Sequence, residues 1–245
     1  MIGIIGYGMV GKAVANGFGR TTVLISDPKY NDLSIQYMCS KNPDAIFVCV
    51  PTPTDDTNYA LLKSVLREIQ DLKYQGITVV KSTVLPHHLD GYNVVYNPEF
   101  LSRATSLEDF INPPFVLIGG DMTQAQRLAD LYREYSYVNM DAVKFTDVKT
   151  AAFAKYMMNS FYAVKVTYMN QMYDVTQQLG IDWDQLTDIF KMQPWMGSHH
   201  FQVPGPDGSR GFGGPCLPKD TQALAQTYDL ELLNTVLELN RKYRE

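Results

Sequence analysis

The sequence predicts an α/β fold: a doubly wound parallel sheet, then a long helix and a small all-helical domain. Three observations carry this expectation. Short continuous apolar runs alternate with amphipathic stretches over residues 1–146. A glycine-rich turn joins the first apolar run to the first helical stretch. From Asp147 to Leu179 the chain contains neither Gly nor Pro. Apolar strands alternating with helices argue for a parallel sheet covered on both faces. A long uninterrupted helical run argues for a helix that passes through a core or an interface.

The elements follow in order. Ile2 to Ile5 reads as the first strand and ends at Gly6. The next residues, Gly6-Tyr-Gly8-Met-Val-Gly11, form a G-x-G-x-x-G. The first glycine of that pattern allows the tight turn, the second lets backbone approach a pyrophosphate, and the third lets helix and strand pack closely. The helix that follows presents unpaired N–H groups to phosphate. A second strand, TVLISD, ends at Asp27, 16 residues after Gly11. A carboxylate there accepts hydrogen bonds from ribose hydroxyls and repels a 2′-phosphate, which favours NAD over NADP. In this context the glycine pattern reads as a Rossmann-like dinucleotide site. Further strands are expected at DAIFVCV, ITVVKST, NVVYNPEF and FVLIGG, with helices at ALLKSVLREIQDL and MTQAQRLADLYREY. Pro51-Thr52-Pro53-Thr54, Lys81-Ser82-Thr83 and Asn97-Pro98-Glu99-Phe100-Leu101 fall at strand ends, where such sheets bind ligands.

The second half, residues 147–245, is expected to be a dimerisation and catalytic-loop domain after a Rossmann domain over 1–146. Its long helix would span about 50 Å at 1.5 Å per residue, with Gly180 as its C′ residue. Lys155 and Asn159 share one helix face. They are either part of a solvated stripe or, in their apolar company, a desolvated charge offered to an oxyanion. A helix at WDQLTDIFKM precedes a loop rich in Pro, Gly and His, then GFGGPCLPKD, then a final helix from Thr221. His199 and His200 lack a third ligand at metal spacing and read as loop residues.

Composition bounds the function. Apolar residues make up 45% and charged residues 19%, a globular balance. The net charge of −5 with no basic run excludes a nucleic-acid or anionic-membrane footprint. Three widely spaced cysteines, Cys39, Cys49 and Cys216, fit neither a disulfide framework nor a zinc site. A cytoplasmic, reducing compartment is expected, without signal peptide or membrane span.

The motifs GYGMVG, PTPTD, KSTV, NPEFL, K-x-x-x-N and GFGGPCLPKD occur in the order found in the nucleotide-sugar 6-dehydrogenases, and the chain resembles that family along nearly its whole length. The cysteine loop is the most specific of them. The resemblance implies NAD-dependent oxidation of a sugar C6 alcohol to a carboxylate in two hydride transfers, with a nucleotide sugar, UDP-glucose foremost, as substrate. It implies Cys216 as the nucleophile that forms a thioester, Lys155 as oxyanion stabiliser, and Asn159 holding the reacting oxygen or a water. Asp220 would orient or activate water, with Glu99 and Thr83 assisting. Gly6, Tyr7, Gly8, Met9, Val10, Gly11, Asp27, Thr52, Thr83 and Lys219 would bind NAD. Glu99, Phe100, Leu101, Lys155, Asn159 and Gly213 would meet the sugar, and no metal is implied. A homodimer through the long helix is expected, since a chain of this length leaves apolar helix surface uncovered.

The chain departs from the family pattern in three places. The family carries a third, nucleotide-gripping domain, whereas this sequence ends soon after the cysteine loop. The family's E-F-L-x-E-G here reads Glu99-Phe-Leu-Ser-Arg103-Ala104, and its D-x-R-I-G reads Gln193-Pro-Trp195-Met-Gly197. The long loop before Gly211 offers Arg210 as a replacement contact. Two other readings therefore stand beside the dehydrogenase: a non-catalytic NAD-binding module, and a one-step hydroxyacid dehydrogenase using Lys155 and Asn159.

Overall fold

The computed structural model describes residues 1–52, 59–102 and 105–245. Its contacts divide the chain into two compact units, one closing at Lys155 and the other opening at Tyr156.

The first unit is built on one sheet. Its strands are β1 (Ile2–Ile5), β2 (Val23–Ser26), β3 (Ala45–Val48), β4 (Ile77–Val80), β5 (Val95–Tyr96), β6 (Val116–Gly119) and β7 (Val143–Thr146). Spatially they run β2-β1-β3-β4-β5-β6-β7. The chain leaves β1 toward one edge to make β2, then crosses to the other side to make β3. The crevice at the ends of β1 and β3 is therefore the topological switch point, where sheets of this kind take ligands. The five strands from β2 to β5 are parallel, as the apolar runs predict. The expectation of a wholly parallel sheet is corrected at the far edge. There β6 pairs antiparallel to β5 through Tyr96 and Gly119, and β7 runs parallel to β6. Strand β7 escapes the sequence pattern because its VKFT is only half-buried, with Lys144 exposed, so it forms no continuous apolar run.

The helices of this unit are α1 (Met9–Gly17), α2 (Ile35–Ser40), α3 (Ala60–Asp71), α4 (Ser106–Ile111) and α5 (Met122–Tyr135). Alternate residues of each strand feed opposite cores. Ile2, Ile4, Phe47, Val79 and Val95 pack with Ala13 and Val14 of α1 and Leu128, Ala129 and Tyr132 of α5. Ile5, Ile46, Val48, Val80 and Tyr96 pack with Leu62, Val65, Leu66 and Ile69 of α3. Both faces are covered, so the strands read as continuous apolar runs rather than alternating ones. The six-residue helices α2 and α4 are too short to show a helical period.

Helix α6 (Val148–Leu179) is 32 residues long, as its lack of Gly and Pro predicts. Asp147 starts it by accepting from Thr150 N at 2.9 Å and Thr150 Oγ1 at 2.6 Å. Gly180 ends it with φ +66°, and Ile181 N returns to Thr176 O at 2.9 Å, a Schellman-type stop. The second unit adds α7 (Trp183–Lys191), α8 (Leu217–Tyr228) and α9 (Glu231–Arg244). The single C-terminal helix expected from the sequence is thus two. Asp229 takes a left-handed conformation, φ 50° and ψ 54°, which Asp tolerates better than most residues. The reversal lets α9 fold back along α8. Helix α8 also starts earlier than expected, at Leu217, so Lys219 and Asp220 belong to a helix and not to the loop. Among the described residues no helix is long and apolar enough to cross a membrane.

Candidate active site

The turn after β1 separates the three glycine roles by what a side chain would meet. Gly6 has φ +90°, and a Cβ there would lie 2.8 Å from the Cys49 carbonyl oxygen. At Gly11 a Cβ would run into the Gly6 carbonyl oxygen, so this glycine lets α1 sit on the turn. Gly8 is different: it is exposed, and among the described residues nothing lies within 4 Å of where its Cβ would be. The space over Gly8, at the amino end of α1, is open to a phosphate group. Gly8→Ala is therefore expected to leave thermal stability unchanged while weakening NAD⁺ binding. Gly11→Ala should cost about 1–3 kcal/mol of stability through overpacking, measurable by chemical denaturation of the two variants.

Asp27 sits just past β2. Its carboxylate accepts from Tyr7 N at 2.6 Å and from Lys29 N at 2.9 Å. These two backbone donors, Tyr7 first, hold its pKa below the usual carboxylate range. The acid is thus ionised and tied to the glycine turn. Its four acceptor lone-pair sites exceed those two bonds, which leaves capacity for ribose hydroxyls. The open Gly8, the glycine turn and the anchored acid together fit NAD. Asp27→Ala is expected to weaken NAD⁺ binding by about 1.5–3 kcal/mol, the range for hydrogen bonds to a charged group. Unchanged affinity by titration calorimetry would refute the ribose role. Met9 and Val10 open α1 half-buried, and Thr52 and Thr83 follow β3 and β4, also half-buried. Pro53, Thr54, Arg103 and Ala104 lie outside the described residues.

Behind the ends of β4 and β5 lies a polar network that the motifs only hinted at. Lys81 is buried, and its Nζ donates to Asn97 O at 3.0 Å and Asn97 Oδ1 at 2.9 Å. Tyr132 Oη donates to the same Oδ1 at 2.7 Å, and Asn97 Nδ2 donates to Leu117 O at 2.8 Å. Burial pulls the Lys81 amine down to about 8 and pushes the neighbouring Cys49 thiol up to about 12. The network joins β4, β5, β6 and α5, and it fixes the start of the Asn97–Leu101 segment. A cavity of about 40 Å³ beside it is bounded by Lys81, Asn97, Glu99 and Phe110. That is room for water and not for a sugar.

Glu99 comes next in that segment and meets Lys155. The Lys155 Nζ donates to Glu99 O at 2.6 Å and to Glu99 Oε2 at 3.3 Å. The two side chains are only 5% and 8% exposed. The same carboxylate oxygen accepts from Leu101 N at 3.1 Å, and the ammonium stands 5.1 Å from the centre of the Phe100 ring. Of the two readings of Lys155, the solvated stripe is excluded.

The second unit holds the other cluster. Cys216 is the N-cap residue of α8 and is half-buried. One turn on, Asp220 is 1% exposed. Its Oδ2 accepts from Asn159 Nδ2 at 2.6 Å and its Oδ1 from Lys219 Nζ at 2.5 Å. The buried Asn159 and Asp220 thus join α6 to the first turn of α8, and Lys219 is engaged with Asp220. Gly213 lies against the guanidinium of Arg244, which a Cβ there would strike. Arg210, considered from the sequence as a replacement contact for ligand, is committed internally. It pairs with Asp174 at 2.7 Å and donates to Asn170 O at 2.8 Å. His200 stacks on Tyr162 at 4.4 Å. No group of three or more potential metal ligands occurs among the described residues.

Sequence reasoning missed Lys81, Asn97 and Tyr132 as a unit, and it missed Asn170 and Asn240. The available signal was the residue type: polar side chains spaced to fall on otherwise apolar faces, where burial demands partners.

Comparison with known proteins places this geometry. Residues 32–136 match the model of the "UDP-glucose/GDP-mannose dehydrogenase family, NAD binding domain", and residues 149–242 match that family's central domain. A UDP-glucose 6-dehydrogenase of Rickettsia felis is 30% identical over 224 residues, covering 82% of this chain and 48% of its own. A GDP-mannose 6-dehydrogenase of Pseudomonas savastanoi is 31% identical over 229 residues, covering 80% and 50%. The chain therefore spans about half the length of these curated relatives. Among solved structures, a UDP-glucose dehydrogenase from Pyrobaculum islandicum superposes with a TM-score of 0.82 at 24% identity, over 98% of this chain and 68% of that one. The chain belongs to the UDP-glucose/GDP-mannose dehydrogenase family, of which it carries the NAD-binding and central domains.

Proposed function

We propose that the protein oxidises the C6 alcohol of a nucleotide sugar to a carboxylate, with UDP-glucose as the first substrate to test. The observation that carries the reading is Cys216 at the amino end of α8, one turn before a buried Asp220 held by Asn159 and Lys219. NAD⁺, when bound, takes one hydride in each of two oxidations. The chain's own residues do the rest. Lys155, its ammonium desolvated beside Glu99, stabilises negative charge on the reacting oxygen. The thiolate of Cys216 adds to the C6 aldehyde, and the oxygen takes a proton, giving a thiohemiacetal. Loss of hydride and a proton from that adduct leaves a thioester on Sγ. Water then attacks its carbonyl carbon, the C–S bond breaks, and the thiol returns with a free carboxylate. Asp220, held in place by Asn159 and Lys219, orients and deprotonates that water, and Asn159 holds it.

The balance gives the test. Two NADH per sugar with UDP-glucose or GDP-mannose is the expected stoichiometry. One NADH per sugar would mean a one-step dehydrogenase, and none, with NAD⁺ still bound, a binding module.

We also propose a homodimer through α6. Met157, Phe161, Tyr168, Val175 and Leu179 are exposed and fall on a single stripe of the helix. Light scattering should give twice the monomer mass of 27.7 kDa; a monomer would remove this part of the proposal.

A further inference from the structure

The loop that delivers Cys216 is gripped by the last turns of α9, through side chains that no motif marks. Asn240 is buried, and its side-chain amide pairs with one residue of the loop in both directions. Oδ1 accepts from Phe212 N at 2.7 Å, and Nδ2 donates to Phe212 O at 3.0 Å. This mimics a strand pairing, and it satisfies both backbone groups of Phe212, which is 3% exposed. Arg244 lies four residues on, on the same face of α9. Its Nε also donates to Phe212 O, at 3.2 Å, and its Nη2 pairs with Asp207 at 2.7 Å. From the opposite side, Asn170 of α6 accepts from Gly211 N at 3.0 Å and Arg210 Nε at 3.2 Å.

The glycines of GFGG take their meaning from this grip. Gly211 has φ +69°, and a Cβ there would collide with Asn240 Oδ1. A Cβ on Gly213 would collide with Arg244 Nη2. These two positions are bare so that α9 can press on the loop. Gly214, with φ +76° and no described residue within 4 Å of where its Cβ would be, supplies the turn into Pro215 and Cys216. Three residues separate the clamped Phe212 from the thiol, two of them being Gly213 and Gly214. Small displacements at the clamp therefore move Sγ.

We propose that Asn240, backed by Arg244, is the positioning residue for the Cys216 thiol. Helix α9 thereby sets the register of the nucleophile. The inference rests on the reading of Cys216 as nucleophile, but its test has a readout that needs no turnover. Thiol alkylation by iodoacetamide, followed by mass spectrometry, reports Cys216 directly. Cys49, partly buried against the core with its thiol pushed up to about 12, is the slow-alkylating control for the first unit, and the fluorescence of Trp183, 8% exposed, is the folding control for the second.

In Asn240→Ala, Cys216 should alkylate at a rate several-fold different from wild type while Cys49 stays slow and Trp183 fluorescence stays unchanged. With active protein, kcat should fall by up to about 100-fold, the range for a misplaced reacting group, with KM for NAD⁺ unchanged. Asn240→Asp keeps the acceptor and loses the donor. Protonating that carboxyl restores a donor to Phe212 O, so this variant should recover toward wild type as pH falls. A purely structural contribution would lower stability without shifting Cys216 reactivity or splitting kcat from KM. Should Asn240→Ala change Trp183 fluorescence, Arg244→Ala decides, since it removes the second bond to Phe212 O from a partly exposed site. Wild-type alkylation and kcat in the folded variants would overturn the proposal. If the wild type forms no NADH, the functional reading fails while the alkylation rates still judge the clamp.

Discussion

Cys216→Ser is expected to abolish carboxylate formation while leaving NAD⁺ affinity at its wild-type value. A serine hydroxyl is a poorer nucleophile at neutral pH than a cysteine thiol, which ionises far more readily, and an oxygen ester is less open to attack by water than a thioester. The glycine turn and Asp27, the proposed cofactor anchors, belong to the first unit and Cys216 to the second, where Lys219 is engaged by Asp220. Binding and chemistry should therefore separate cleanly. The measurement is product analysis by mass spectrometry beside an NAD⁺ titration. Undiminished turnover would remove the thioester route. Retention of the first oxidation alone, with aldehyde trapped by hydroxylamine, would support it, because in the proposed route the thiol enters only after the alcohol has lost its first hydride.

Lys155→Met should have the second largest effect, and it acts on two quantities. Loss of one oxyanion donor costs about 2.7–4 kcal/mol of barrier, about 10²–10³ in kcat. The same substitution leaves the Glu99 carboxylate without its cation in a site where it is 8% exposed. Breaking a buried pair from one side costs about 3–5 kcal/mol of stability. The two effects are separated by pairing Lys155→Met with Glu99→Gln. The double variant removes the stranded charge and should regain much of the lost stability. It should not regain kcat, since the oxyanion donor is still missing. Recovery of activity together with stability would show that Lys155 holds the Glu99 segment and does not reach the reacting oxygen.

Much of this protein was legible in order and type. Continuous apolar runs betrayed strands buried on both faces, because a doubly covered sheet has no polar side to record. Gly6, Gly8, Gly11 and Asp27 were legible because a tight turn, a phosphate approach and an ionised acid each demand a residue type at a set spacing. Helix α6 announced itself by the absence of any breaker. Lys155 and Asn159 could be placed on one helix face but not in an environment, so burial of both was undecided.

What the sequence by itself determined, then, was local: periodicity, turn chemistry, and motifs whose residues are close in the chain. Only the tertiary structure decided which polar groups are stripped of water and what they meet there. It reversed β6 and β7 at the sheet edge, broke the last helix at Asp229, and gave Lys81 to Asn97 and Lys155 to Glu99. It also assigned Gly211 and Gly213 to a clamp made by α9, 28 residues beyond Phe212 at Asn240. The physical reason is common to all of these. A residue's intrinsic preferences act over a turn or two of chain, whereas desolvation and hydrogen-bond pairing depend on neighbours that only folding brings together.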